Sequence, residues 1–372
     1  MQKTKFNMLV DAFAGSSGKA KMYCYLTEKY RPEVLCSTNT PNAGHTYRQD
    51  DDVFIAKVLP SGAYMHKIDD TYNPHVFIGP TAIFTIEQLL KEIEACKMGS
   101  QYLWIHPRAG IVTSEHKARE ENSLDGPKSI ASTCQGAGTY LADKILRRPG
   151  LKLARDYSDL LQEHILTNMV AHLHDYLRSG YTAFHEVSQG IGLDIHHGIE
   201  YPYCTSRSTN SLQAIADMAP PLNKIGDIYL NIHSTPIRVG NIIENNKEVG
   251  NSGPGYSDQE ELTWTEVGMR AGMPQEEIDK LYEQQLTTVT KRLRRVFTFS
   301  WGGLAHAVRV SSATKLMVNF IQYVDWNCYK AKTWDELTPK VKTFIDMIEK
   351  RTGLPVELIG TGPNHDDIID RQ

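Results

Sequence analysis

Seven consecutive residues, Gly15-Ser16-Ser17-Gly18-Lys19-Ala20-Lys21, gather glycines, hydroxyls and lysines. Glycines let backbone amides turn inward, and a following helix N-terminus adds partial positive charge, so such a segment suits a phosphate. It departs from the common phosphate-loop pattern. Only two residues separate Gly15 from Gly18, and Ala20 stands where Ser or Thr would hold magnesium. A plain glycine-rich turn fits the composition as well. Downstream, Thr40-Pro41-Asn42-Ala43-Gly44-His45-Thr46 forms a small polar loop. A lone histidine is often structural, but this one sits just after an apolar run and near a candidate phosphate loop. Ser132-Thr133-Cys134-Gln135-Gly136-Ala137-Gly138-Thr139 could bind a second phosphate or be an ordinary loop. The basic run Thr290-Lys291-Arg292-Leu293-Arg294-Arg295 reads either as a solvated helix face or as forks for a dicarboxylate.

These residues need elements to hold them. Met8-Leu9-Val10 reads as a buried strand, Lys21 to Tyr30 as the helix after it, and Val34-Leu35-Cys36 as a second strand. His75 to Gly79, Tyr102 to Ile105, Thr182 to His185 and Ile228 to His233 are strand-like, and Lys315 to Val324 reads as an apolar strand ending at Asp325. A helix starts at Thr85 with a capping-box pattern to Gln88. Tyr157 to Leu177 carries one apolar face and stops at Gly180, and Thr338-Pro339 opens a helix that Gly353 closes. Glu115 to Lys128 is charged, a surface helix or loop, and Asn245 to Ser257 reads as a mobile excursion. Alternating strands and helices predict a single large α/β domain over 1–372, with a mainly parallel central sheet and helices on both faces.

The totals narrow the function. The chain has 372 residues, with Lys+Arg 40 against Asp+Glu 44 and net charge −4, so no polyanion-binding surface is implied. No stretch is long and apolar enough to span a membrane, and the N-terminus runs into a strand rather than a signal sequence. The six cysteines are scattered, with no Cys-x-x-Cys pair, as in a cytoplasmic protein with reduced thiols. The adjacent His196 and His197 are not read as metal ligands, because neighbours on extended chain face opposite sides.

Together, Gly-x-x-Gly-Lys-x-Lys and Asn-Ala-Gly-His-Thr at this separation resemble the adenylosuccinate synthetase family, nearly end to end. The resemblance implies a phosphate-loop NTPase-like fold and a carbon–nitrogen ligase working with magnesium. It assigns Lys19 to the phosphoryl groups, His45 to the developing charge on the purine 6-oxygen, and the Gly44 carbonyl to magnesium. The purine monophosphate would meet Ser16, Asn42, Thr133, Gln189, Thr205 and Val239. Arg147 would reach into a neighbouring protomer's site, implying a homodimer, whereas unaided it reads as a solvated helix end. Thr290, Arg292 and Arg294 would take the aspartate carboxylates. Gly15, Ser17, Gly18, Lys19, Ala20, Asp325, Gly360, Gly362 and Pro363 would hold the nucleotide triphosphate.

Three departures refine this. The family's phosphate loop reads Gly-Asp-Glu-Gly-Lys-Gly-Lys, and its aspartate, a base and magnesium ligand, is Ser16 here. The guanine-reading Thr-Lys-x-Asp becomes Gln322-Tyr323-Val324-Asp325. The chain is also somewhat shorter than ordinary members. All three resemble the bacteriophage branch of the family, which uses ATP and acts on dGMP, joining L-aspartate to carbon 6 on the way to diaminopurine nucleotides. A small hydroxyl at Ser16 leaves room for the guanine 2-amine and can accept its hydrogen bond. Asp11 is a candidate substitute base or metal ligand beside Ser16, or equally a loop-capping aspartate. Two other readings stay open: an ordinary synthetase using IMP and GTP, and a non-catalytic nucleotide-binding regulator.

Overall fold

Phe6–Asp11 is buried at every residue and forms strand β1. Its apolar run Met8-Leu9-Val10 is what a strand covered on both faces requires. The computed structural model describes residues 1–122, 128–161, 164–287 and 291–372, apart from the side chains of 165 and 166. In chain order the main sheet continues with β2 (Val34–Ser37), β3 (His75–Ile78), β4 (Leu103–Ile105), β5 (Ile165–Leu166), β6 (Ala183–Glu186), β7 (Ile225–His233), β8 (Lys315–Asn319), β9 (Val356–Gly360) and β10 (Ile368–Asp370). Among the described residues this sheet has 10 strands, in the spatial order β10-β9-β8-β7-β1-β6-β2-β3-β4-β5. Neighbours run parallel except β9 and β10, which are antiparallel. This is the expected α/β architecture.

Side chains alternate across the sheet, as the two-residue period of a strand dictates. Met8 and Val10 join Leu230, Ile232, Leu316 and Val318 in one core. Leu9 joins Tyr229, Met317 and Leu358 in the other, beneath helix α1 (Lys19–Tyr30). The chain leaves β1 toward β2 on one side and later returns to β7 on the other. That reversal of direction opens a crevice at the C-terminal ends of the central strands, where open α/β sheets bind ligands. Register places Asp11 beside Asn231 and His233 beside Asn319, so polar residues finish these strands together.

Several expectations change. Tyr157 to Leu177 is not one helix. A short turn of helix, Ser158–Leu161, gives way to β5, which pairs with Trp104–Ile105 at the sheet edge. Asn168 then caps a new helix, Met169–Arg178, by accepting from the Val170 amide at 3.2 Å. Edge pairing and a cap outweigh the continuous apolar periodicity. The strand expected to reach Val324 ends at Asn319, because Phe320 turns left-handed at φ 64°. The excursion after Asn245 opens instead with an ordered hairpin, Ile242–Glu244 against Lys247–Gly250. Asn245 and Asn246 form its turn at φ 50° and 59°, the left-handed pair a two-residue hairpin loop favours. Thr85 caps its helix as expected, accepting from the Gln88 amide at 3.2 Å, but the Gln88 side chain turns to Glu92 instead of closing a capping box. Ser114–Glu121 is helical, and the rest of that charged segment, through 127, lies largely outside the described residues. Among the described residues no helix is long and apolar enough to cross a membrane.

Candidate active site

The loop between β1 and α1 takes its shape from three left-handed residues: Gly15 at φ 81°, Ser16 at 51° and Gly18 at 73°. This folds Ser17 inward and leaves Ser16 exposed at the apex. The Ser17 hydroxyl donates to the Asp11 carboxylate. Asn231 donates to the Ser17 carbonyl at 3.0 Å and to its hydroxyl at 2.6 Å. Asn319 donates to Asn231 at 3.0 Å and to the Gly18 carbonyl at 3.3 Å. The ends of β1, β7 and β8 are thus tied to the loop by one polar chain. Asp11 is 1% exposed and also accepts from the Phe13 amide. Burial pushes its pKa up, against the pull of the Lys19 charge. It lies beneath the loop rather than on its open face, a capping position.

Lys19 opens α1 and donates to the carbonyls of Val187 and Gln189. Burial lowers its pKa, while Asp11 and Glu186 hold it up. Lys21 crosses to the loop between β9 and β10, donating to the Gly362 carbonyl at 2.8 Å and the Asp367 carbonyl at 3.3 Å. Burial brings its pKa down to about 7. Gly360 must be glycine: a Cβ there would stand 1.9 Å from Asn319 Oδ1 and 2.7 Å from Lys21 Nζ.

His45 Nδ1 lies 3.0 Å from the Glu186 carboxylate, and both side chains are buried. Glu186 also accepts from the Ser61 amide at 2.6 Å. Burial drives Glu186 upward, but the His45 and Lys19 charges outweigh it and hold the carboxylate below its usual range. A carboxylate on one ring nitrogen fixes the ring and leaves the other for a ligand. Asn42 and Gly44 sit just before His45, half-buried, and Asn42 Oδ1 is buried with no partner among the described residues.

Gln189 is left-handed at φ 65°, and its side chain comes near Gly15. Gly192 donates to the Phe13 carbonyl at 2.9 Å, and Gly190 lies so close that a Cβ would fall 2.1 Å from that oxygen. Asp194 organises the rest of this segment. It accepts from the amides of His196, His197 and Thr209 and from the Asn210 side chain, at 2.7–3.1 Å. Thr205 is held by its amide, which donates to the Leu193 carbonyl at 2.8 Å. The Thr133 hydroxyl is buried with no partner among the described residues, in the loop before helix α2 (Ala137–Ile145).

Arg292 donates to the carbonyls of Ala131 and Ser132 at 3.0 and 3.1 Å, joining the basic run to the Thr133 loop. Val239 precedes Gly240, where a Cβ would lie 2.1 Å from the Leu293 carbonyl. Arg292, Arg295 and Asn241 line a cleft of about 380 Å³. Arg294 turns elsewhere, donating to the Leu286 carbonyl at 2.9 Å, and its pKa is lowered by burial. Thr290 lies outside the described residues.

Two expected residues stand apart. Arg147 is exposed just past the end of α2, beside the exposed Ile145 and Leu146. Asp325 has both carboxylate oxygens engaged, one by Asn327 and one by the Thr338 hydroxyl at 2.8 Å. Glu186, Asn231 and Asn319 were given no role from the sequence, and a polar residue at or near the end of an apolar strand was their only signal. Lys21 was read as part of the glycine–lysine motif without a role of its own.

Among the described residues no cluster of three or more His, Cys, Asp or Glu could hold a metal ion. The remaining donors are oxygens, the exposed Ser16 hydroxyl and the Gly44 carbonyl. They fit a hard cation such as magnesium, which takes few protein ligands when phosphates supply the rest.

The family model for adenylosuccinate synthetase matches residues 8–170 and 151–326. The N6-succino-2-amino-2'-deoxyadenylate synthase of Cyanophage S-2L is 32% identical over 97% of this chain and 91% of its own. The adenylosuccinate synthetase of Archaeoglobus fulgidus is 29% identical over 98% and 97%. A solved structure of the Cyanophage S-2L succinoaminodeoxyadenylate synthetase, bound to dGMP and dATP as an energy donor, superposes with TM-score 0.81 at 30% identity, covering 99% of this chain and 96% of that one. The fully ligated Plasmodium falciparum adenylosuccinate synthetase shares the fold, with TM-score 0.79 at 20% identity over 98% and 99%.

Proposed function

The chain belongs to the adenylosuccinate synthetase family of carbon–nitrogen ligases, and we propose that within it the protein joins L-aspartate to carbon 6 of dGMP, driven by ATP or dATP. The observation that carries this reading is Ser16. It stands exposed at the apex of the phosphate loop, while the nearby carboxylate, Asp11, is buried and bonded to Ser17. A guanine base brings a 2-amine beside its N1. A small hydroxyl accommodates that amine and accepts its hydrogen bond, where an acid would crowd it.

The 6-oxo group of a purine leaves poorly. Transfer of the γ-phosphoryl to that oxygen makes it a good leaving group, and the aspartate amine then displaces phosphate. Catalysis of such transfers rests on positioning and on stabilising charge. Lys19, at the start of α1, neutralises the phosphoryl oxygens on moving from the Val187 and Gln189 carbonyls it now holds. His45, oriented by Glu186, donates to the developing charge on the 6-oxygen. Magnesium, held by the Ser16 hydroxyl and Gly44 carbonyl, would supply charge neutralisation at the phosphates. Thr133, Thr205, Asn42, Gln189 and Val239 hold the monophosphate, and Arg292, with Thr290, takes the aspartate carboxylates, which Arg294 joins only on leaving the Leu286 carbonyl. Arg147 completes the site of a second copy in a homodimer.

The test is phosphate release with aspartate, magnesium and paired substrates. Turnover with dGMP and ATP, and little with IMP and GTP, is expected, with the succinylated product seen by mass spectrometry. The reverse preference would make this an ordinary synthetase, and tight binding without turnover on any purine monophosphate a regulator.

A further inference from the structure

The triphosphate's base needs a reader, and the structure moves it from where the sequence pattern put it. The pattern puts the guanine-reading carboxylate of GTP users at Asp325, directly after a strand expected to end at Val324. The strand ends at Asn319 instead. The residues that follow the C-terminal end of β8 are therefore 320–323, of which Ile321 and Tyr323 are packed into the apolar cores and Gln322 carries the polar side chain. Asp325 lies beyond them with both oxygens committed to Asn327 and Thr338. Gln322 is 5% exposed, and its side-chain carbonyl is buried with no partner among the described residues. A buried polar atom left unpaired calls for an explanation, and a ligand atom is one.

The surroundings direct this amide toward a base. Asn319 touches the phosphate loop at Gly18, and a Cβ on Gly18 would stand 3.2 Å from the Phe320 ring. Phe320 stacks on His233 at 4.2 Å, an aromatic floor beside the loop. On the far wall, the Lys330 amide donates to the Thr361 carbonyl at 3.1 Å and the Thr361 hydroxyl to the Ala331 carbonyl at 2.9 Å, so the 320–331 segment and the 360–363 loop are bound together. A base attached to phosphates at Gly15–Gly18 lies between these walls.

We propose that Gln322 reads the nucleobase of the energy donor and selects adenine over guanine. This rests on the reading above that a purine triphosphate drives the reaction. A carboxylate offers acceptors alone and so matches the paired N1–H and 2-amine of guanine. A carboxamide offers one acceptor and one donor, matching the 6-amine and ring nitrogen of adenine, the pairing by which Gln and Asn recognise that base elsewhere. Against guanine, the same amide leaves the 2-amine unpaired.

The experiment is calorimetric binding of the imido analogues of ATP and GTP, with magnesium and without monophosphate, to the full chain and its variants. Wild type should favour the ATP analogue. Gln322→Glu should shift the ratio toward the GTP analogue by roughly ten- to a hundredfold, the scale of one bidentate base contact. Gln322→Leu should lose affinity for the ATP analogue while still binding inorganic tripolyphosphate, which reports an intact phosphate loop. Asp325→Asn should leave the ratio unchanged. An unchanged ratio in both Gln322 variants, a ratio moved by Asp325→Asn instead, or a wild type that favours the GTP analogue would each overturn the proposal. The binding ratio does not depend on dGMP, so loss of the dGMP assignment would appear separately, in turnover.

Discussion

The Ser17 hydroxyl donates to the Asp11 carboxylate beneath the phosphate loop, and Asn231 bonds the same hydroxyl from the neighbouring strand. Asp11 therefore acts as the underside of the loop. We predict that Asp11→Asn, which keeps shape but removes the charge opposite Lys19, lowers kcat at least tenfold with little change in melting temperature. Asp11→Ala leaves a buried hydroxyl short of a partner and should lower stability by about 1–3 kcal/mol. Near-normal turnover in Asp11→Asn would show that the carboxylate charge is dispensable.

His45 and Glu186 form a buried pair at 3.0 Å. If His45 stabilises the leaving 6-oxygen, His45→Ala should reduce kcat by about 10²–10³ with substrate KM values nearly unchanged. Glu186→Gln should also reduce kcat, because the ring loses the carboxylate that orients it. A large rise in KM with unaltered kcat would assign the pair to binding instead.

Lys21 is buried and its pKa falls from 10.5 to about 7 in the folded chain. The unfolded chain then binds more protons than the folded one between those two values, so this group makes stability rise with pH across that window. Thermal melts at pH 6 and pH 9 should show wild type gaining on Lys21→Met at the higher pH. A gap between the two proteins that is constant with pH would refute the assignment.

Arg147 is exposed on the described surface, beside Ile145 at 75% and Leu146 at 62% exposure. A residue serving a second copy should be separable from its own site. We predict that Arg147→Leu and His45→Ala are each weakly active, and that mixing them restores part of the wild-type rate through hybrid dimers. Sedimentation showing a monomer throughout, with no recovery on mixing, would remove Arg147 from the site.

Much of the architecture was legible because strong signals were local. Unbroken apolar runs marked β1 and β2, and Thr338-Pro339 with Gly353 bracketed their helix. The tight turn at Gly15–Gly18 could be read for the same reason, since closely spaced glycines specify such a backbone shape. Failures came where partners distant in sequence decided the outcome. Trp104 and Ile105 drew Ile165 and Leu166 into an edge strand against their helical periodicity. The end of β8 hinged on one left-handed phenylalanine, a conformation residue type does not announce. Asn231 and Asn319 gained meaning only when adjacent strands brought them together.

The loop from Gly360 to Asp367 has both its stems in the main sheet, since β9 and β10 pair antiparallel on either side of it. Lys21 fastens that loop to α1 as well. This wall is consequently a fixed jaw, braced at both roots like the closed end of a vice. The 320–331 segment is itself bonded to this wall through Lys330 and Ala331, so any tightening around an incoming nucleotide must be done by the Gly15–Gly18 loop, and capture and release would be timed on that side alone.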